Sequence, residues 1–127
     1  MVHAQKKGKR GENEFCEWLG KHFGLEVERN YNQADGESGD IIIGDFFFEV
    51  KRREKHSFSD YWYQTVRQRK GRQGKGRIPV VAYRSNRQPW RFLLPAFLLM
   101  PKMKGFIQVE EGVMINYLKE MGISNRE

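Results

Sequence analysis

The chain has 127 residues, 39% apolar and 31% charged, with a net charge of +7, which is one domain with one moderate core and excludes a disordered or bilayer-embedded composition. One cysteine, Cys16, excludes an internal disulfide, and the three histidines are scattered without zinc-ligand spacing. The longest apolar run, Phe92 to Met100, is nine residues and holds Pro95, too short for a bilayer span, and no apolar segment follows the basic N-terminus as a secretory leader requires.

The charge is uneven along the chain. Residues 61–109 carry eleven lysines and arginines and no acid, while the rest is net acidic by four. A one-signed segment suits a polyanion, nucleic acid in preference to a membrane surface, because no basic amphipathic helix is evident. A cytoplasmic protein without a membrane partner is expected.

Residues 1–10 read as a flexible basic arm, with Lys6, Lys7, Lys9 and Arg10 placed to track a phosphate backbone. Residues 11–127 read as one domain. The spacing predicts a helix from Gly11 to Phe23 with Phe15, Cys16, Leu19, His22 and Phe23 on one side. Glu12 falls inside that stripe, whereas Glu14 and Glu17 fall on the opposite, wet side. An acid on the buried side either needs a partner or metal, or is a first-turn carboxylate favoured by the helix dipole. Gly24 ends the helix, and Leu25 to Arg29 alternates as a strand.

Residues 30–37 form a polar loop before Asp40-Ile-Ile-Ile-Gly-Asp-Phe-Phe-Phe-Glu-Val-Lys51. Gly44-Asp45 between two β-rich runs predicts a hairpin. A turn centred there sets Asp40 opposite Glu49 and puts Asp40, Glu49 and Lys51 on one face, with Ile41, Ile43, Phe46, Phe48 and Val50 on the other. Two carboxylates directly across a strand pair repel. A divalent cation reverses that sign, since hard cations are held by clustered carboxylate oxygens. Lys51 could then position or polarise a water or phosphate. This is the pattern of a metal-dependent phosphodiesterase site, although charges at hairpin ends are also ordinary solvated positions.

Arg52 and Arg53 follow as candidate phosphate contacts. Ser57 or Ser59 caps a helix through Lys70, with Tyr61, Trp62, Thr65, Val66 and Arg69 sharing a face. Gln64 on this helix could reach a phosphate or a water, or be a plain surface amide. Arg67, Arg69, Lys70 and Arg72 lead into a basic glycine-rich loop, 71–77, which lacks the helix and Lys-Ser/Thr of a nucleotide-binding loop. Strands are expected at Ile78–Tyr83 and Trp90–Leu94, then a short helix from Pro95 to Met100. Phe106–Val109 is a last strand or an edge that pairs with another subunit. A terminal helix, Gly112 to Met121, turns Val113, Met114, Tyr117, Leu118 and Met121 inward.

The order of elements argues for an α/β domain with a mixed sheet flanked by helices. A helical Glu12, then Gly39-Asp40, then Glu49-Val50-Lys51, then a helix bearing Gln64 resembles the PD-(D/E)xK nuclease superfamily. The stretches Lys7–Glu12, Ile78–Tyr83 and Trp90–Phe92 resemble its Holliday junction resolvase-like branch, including short phage and prophage forms. The resemblance runs from about Lys7 to Leu94. The signature proline is Gly39 here, and residues 101–127 stand as a C-terminal extension and possible dimer element.

The resemblance implies a restriction-endonuclease-like sheet of four to five strands. It implies Mg²⁺ or Mn²⁺ held by Asp40, Glu49 and the Val50 carbonyl, with Glu12 as an outer carboxylate. It makes Lys51 the residue that orients the attacking water, with Gln64 beside it. Lys6, Lys7, Lys9, Arg10, Arg52, Arg53, Arg67, Arg69, Lys70 and Arg72 would hold the backbone. The expected activity is metal-dependent endonucleolytic cleavage of DNA, on branched duplex such as Holliday junctions and recombination intermediates, by a homodimer in the cytoplasm (the host's, for a phage protein). A same-fold nuclease for linear duplex, single strands or RNA, and a non-catalytic nucleic-acid-binding protein, are the alternatives.

Overall fold

Gly44 has φ +54°, as the first central position of a tight hairpin turn favours, and it joins β1 (Asp40–Ile43) to β2 (Phe46–Arg52). The computed structural model describes residues 2–27, 40–69 and 76–123. From this hairpin the chain crosses through α2 (Phe58–Arg69) to β3 (Ile78–Arg84), which lies parallel to β2. A parallel neighbour needs such a crossover, and a helix supplies it. β4 (Arg91–Pro95) and β5 (Phe106–Glu110) then add antiparallel, completing a five-stranded sheet of order β1-β2-β3-β4-β5. The fold is an α/β mixed sheet flanked by helices.

Period-two alternation divides the sheet into two faces. Phe46, Phe48 and Val50 of β2, Val80 and Ala82 of β3, and Phe92 and Leu94 of β4 meet α1 (Val2–Phe23) and α3 (Glu111–Glu120) in the main core. Phe15, wholly buried, stacks on Trp18 and touches the rings of Phe48, Trp90 and Phe92 with centroids 5.2–6.2 Å away. Val81, Tyr83 and Leu93 point the other way and pack with Tyr61 of α2. Gly11 lets α1 lie close on β2, because a Cβ there would sit 3.0 Å from the Arg52 Cβ.

Several expectations are corrected. α1 begins at Val2 and not at Gly11; the stretch read as an arm holds Ala4, Gln5, Lys6, Lys7, Lys9 and Arg10, all good helix formers. Leu25–Val27 is not a strand. After Gly24 (φ +70°), whose N–H donates to the Gly20 carbonyl, Leu25 and Val27 pack on the core without pairing. The Pro95–Met100 helix contracts to one 3₁₀ turn, Ala96–Leu98. β5 pairs with β4 inside the chain, and α3 buries Met114 and Leu118, so residues 106–120 complete the sheet and core. Val113 and Met121 are about half exposed and not inward, because Val113 lies about 100° round the helix from Met114 and Met121 is the C-cap, past the last residue of α3.

Candidate active site

The β1–β2 ladder pairs Asp40 with Glu49, Ile41 with Phe48, Ile42 with Phe47 and Ile43 with Phe46, the register that a turn centred on Gly44-Asp45 dictates. Glu49 and Lys51 lie on the face of β2 away from α1. Both are buried, at 1% and 6% exposure. Burying a charge is costly unless it is paired and hydrogen-bonded, and each has partners. Lys51 Nζ lies 3.5 Å from Glu49 Oε2 and donates to Gln64 Oε1 at 2.8 Å. It also sits 5.5 Å from the centroid of the Tyr61 ring, within cation–π range. One ammonium is thus held by an anion, an amide oxygen and an aromatic face.

α2 supplies the last two of these. Ser57 caps the helix: its carbonyl accepts the Tyr61 N–H at 3.0 Å and its hydroxyl donates to Asp60 at 2.8 Å. Tyr61 and Gln64 then fall one turn apart and face β2 together. Buried Thr65 donates to the Tyr61 carbonyl at 2.8 Å, so its hydroxyl is satisfied within the helix. Burial raises the Tyr61 pKa, against the opposing pull of Arg53. His56, 2.9 Å from the Tyr61 hydroxyl, is pushed below its ordinary value by desolvation first and by Arg53 second.

Comparison with known proteins now bears on this arrangement. A family model described as "Phage putative PDDEXK endonuclease" matches residues 3–119. The chain belongs to this PD-(D/E)xK endonuclease family. The match includes β5 and α3, which the sequence resemblance left unassigned. The Holliday junction resolvase Hjc of the archaeal hyperthermophile Archaeoglobus fulgidus is similar at 19% identity, over 83% of this chain and 89% of that one, with a TM-score of 0.44. No curated protein matches.

Of the candidate residues of this PD-(D/E)xK chain, the structure brings Glu49, Lys51 and Gln64 together, with Asp40 opposite Glu49 by backbone register. The Asp40 side chain lies outside the described residues. Val50 has its side chain in the core, so it can serve a site on the other face through its backbone alone. Glu12 is half-buried on α1, the helix that covers the face opposite Glu49. Its neighbour Gly11 lies over Val50 and Arg52. At about 100° per residue, Glu12 is turned roughly 160° from Glu14.

Glu14 is corrected. Placed on the wet side by the helical wheel, it is a hub for cations: Arg52 Nε at 2.8 Å, Arg84 Nη1 at 3.5 Å and Arg10 Nε at 3.4 Å. Arg52 is corrected with it. Alternation turns Arg52 to the α1 face, where it bonds Glu14 and Asn86 with its side chain only 8% exposed; it holds the helix to the sheet and is not presented to a substrate. Arg69 is half-buried and donates to the Arg77 carbonyl. Arg10, Arg53 and Arg67 are exposed. Lys6, Lys7 and Lys9 as side chains, and Lys70 and Arg72 altogether, lie outside the described residues.

Tyr61 and His56 were missed as parts of the site. Tyr61 was read only as part of a helical stripe; its spacing of three residues from Gln64 was the available signal. For His56 there was none, because its partner Ser85 comes from the end of β3, reached only through the crossover.

Proposed function

We propose that this endonuclease hydrolyses phosphodiester bonds of DNA with Mg²⁺ or Mn²⁺, and that its substrate is branched duplex such as a four-way junction. The observation that carries the reading is Lys51, a buried ammonium held between Glu49 and Gln64 on the strand face where Glu49 is paired in register with Asp40.

The donor set fits a hard divalent cation. Directly paired residues of an antiparallel ladder share a face, so the register sets Asp40 and Glu49, two carboxylate residues, at one place on the sheet, and Glu49 is almost wholly desolvated. Asp40, Glu49 and the Val50 carbonyl would hold the ion, with Glu12 as an outer carboxylate. The ion supplies Lewis acidity toward a phosphoryl oxygen and offsets the repulsion between the acids. Lys51 orients the attacking water by hydrogen bonding and offsets negative charge that develops on the phosphate. Gln64 acts one step back: its amide oxygen accepts a hydrogen bond from Lys51 Nζ and so orients the ammonium. Arg53 and Arg67, with Arg10 at the N-terminal helix, contact the phosphate backbone and carry little sequence information.

Branched substrate rests on the likeness of Lys7–Glu12, Ile78–Tyr83 and Trp90–Phe92 to resolvase segments. Symmetric cutting of two strands calls for a two-fold dimer. No described helix is long and apolar enough to cross a membrane, and the proposed location is the cytoplasm.

The test is cleavage of a four-way junction, linear duplex, single-stranded DNA and RNA in Mg²⁺, Mn²⁺ or EDTA, with Asp40→Asn and Glu49→Gln as controls. Metal-dependent junction cleavage lost in both variants is expected. Cleavage that survives both removes the site; preference for linear DNA or RNA removes the junction assignment; binding without cutting makes the protein a binding module.

A further inference from the structure

Beside the acid face lies a closed circuit of hydrogen bonds that the hydrolytic reading does not use. Ser85 Oγ is 2.7 Å from the Arg53 carbonyl and 2.9 Å from His56 Nε2. A serine hydroxyl has one proton. Given to the Arg53 carbonyl, that proton leaves Ser85 Oγ as an acceptor toward His56, so Nε2 must carry a hydrogen. In the neutral ring Nδ1 is then an acceptor, and the Tyr61 hydroxyl at 2.9 Å is its donor. The Tyr61 oxygen accepts in turn from the Arg53 side chain, whose guanidinium carbon is 5.7 Å from the ring centroid. The circuit therefore leaves the Arg53 side chain and returns to the Arg53 backbone, with every donor pointing the same way round.

Its mechanical effect is on Tyr61. The ring is buried at 3% exposure, clamped at its oxygen by His56 and Arg53, and presents a face to Lys51 Nζ at 5.5 Å. His56 is itself fixed by a stack on Phe58 (centroids 5.9 Å, planes 13° apart) and an edge contact with Tyr83 at 5.0 Å. We propose that Tyr61 and His56 are positioning residues for Lys51: the neutral, Nε2-protonated His56 holds the Tyr61 ring as a floor under the lysine ammonium and so keeps the lysine aimed at the acid face. A Tyr hydroxyl that donates to imidazole leaves more electron density on the ring, which strengthens its hold on a cation. Protonation of His56 at Nδ1 turns that acceptor into a donor, reverses the contact and breaks the circuit. The charged and titratable groups facing His56 are Arg53 and Glu54 on the preceding loop, Tyr61 on α2 and Tyr83 on β3 with Arg91 beyond it. Burial and Arg53 both favour the neutral ring that the circuit needs.

The inference rests on Lys51 as the catalytic lysine of the proposed nuclease, so its test has one arm that does not use cleavage. In metal-free protein, ¹⁵N shifts of the His56 ring should report the Nε2–H tautomer. The Lys51 ε-CH₂ protons should show the ring-current shift of a proton over an aromatic face, kept in Tyr61→Phe and lost in Tyr61→Leu. In the cleavage arm, Tyr61→Leu should lower kcat by roughly three- to thirty-fold, the range open to a partly desolvated cation–π contact, and Tyr61→Phe and His56→Gln, which keep the ring but release its oxygen, by a smaller factor, with KM little changed. His56→Gln should also lose the part of the acid limb that tracks the His56 ¹⁵N titration. Unshifted Lys51 protons or the other His56 tautomer in wild type overturn the proposal whether or not the protein cuts DNA. So does a Tyr61→Phe and His56→Gln pair with wild-type kcat and pH profile. A wild type that cuts nothing yet shows both NMR signatures keeps the Lys51 floor and defeats the nuclease reading alone.

Discussion

Glu14→Ala should destabilise the protein by about 2–4 kcal/mol while leaving its chemistry intact. The magnitude follows from three contacts of unequal worth. The Arg52 bond is short, at 2.8 Å, between side chains 8% and 23% exposed, and a charge-assisted hydrogen bond of this kind contributes about 1.5–3 kcal/mol. The Arg84 contact is longer, at 3.5 Å, and adds less than about 1 kcal/mol. Arg10, with a side chain 67% exposed, is screened by solvent and adds little. Removing the carboxylate also leaves two guanidinium groups near each other without the anion between them. Against a total stability of about 5–15 kcal/mol for a small domain, this is a large loss. Urea unfolding is the assay, with the midpoint shifting at constant m. A cycle with Arg52→Met should show coupling of about 1.5–3 kcal/mol. Cleavage per folded molecule should stay within about twofold of wild type, as for a residue that makes no transition-state contact. A Glu14→Ala protein as stable as wild type, or an additive cycle, would refute the claim that this ion cluster fastens α1 to the sheet.

Other outcomes follow from the same coordinates. Phe15→Ala, at a position fully buried among four rings, should cost about 3–5 kcal/mol in the same urea assay, and a loss under 1 kcal/mol would contradict the packing. Arg53→Gln and Arg67→Gln should each lower the slope of log affinity against log salt by about 1, whereas Arg52→Gln should leave that slope unchanged; a reversed pattern in DNA titrations would undo the assignment of surface and buried arginines. The depressed His56 pKa makes the folded state bind fewer protons than the unfolded state below the ordinary value of 6.5. Its contribution to stability is therefore complete above that value and is lost as pH falls through the folded pKa. Denaturation midpoints of wild type and His56→Gln should diverge above pH 6.5 and converge in acid; parallel curves would show that His56 is not linked to folding.

The hairpin and its acids were readable because period two and a Gly-Asp turn leave one register that buries Ile41, Phe46, Phe48 and Val50 together. The helix of Gln64 was readable from Ser57 and the apolar stripe of Tyr61 and Thr65. Arg52 was misread by proximity in sequence to Lys51, although alternation alone assigns it to the opposite face. Glu14 was misread because a helical wheel counts only apolar neighbours, and long arginines from β2 and β3 reach a carboxylate that the wheel leaves in water. The hydrogen bond that the Gln64 amide oxygen accepts from Lys51 Nζ at 2.8 Å is not visible in a one-dimensional pattern, which shows only that an amide lies on the helix. The circuit through Ser85 joins residues more than twenty-five apart, and only the parallel pairing of β2 with β3 brings them together.

The two-faced sheet has a consequence for how this sequence tolerates change. From Phe48 to Arg52 of β2, neighbours answer to different demands: Phe48, Val50 and Arg52 hold the helical layer in place, while Glu49 and Lys51 lie on the opposite face, where the proposed site would be. A saturation survey of these five positions, scored for protein abundance and for DNA cleavage, should alternate from one position to the next. Damage at the first set appears in both scores, and damage at the second appears in cleavage with abundance largely kept. Selection on folding and selection on chemistry would then act on interleaved letters of one short word, each free to vary with little regard for the other.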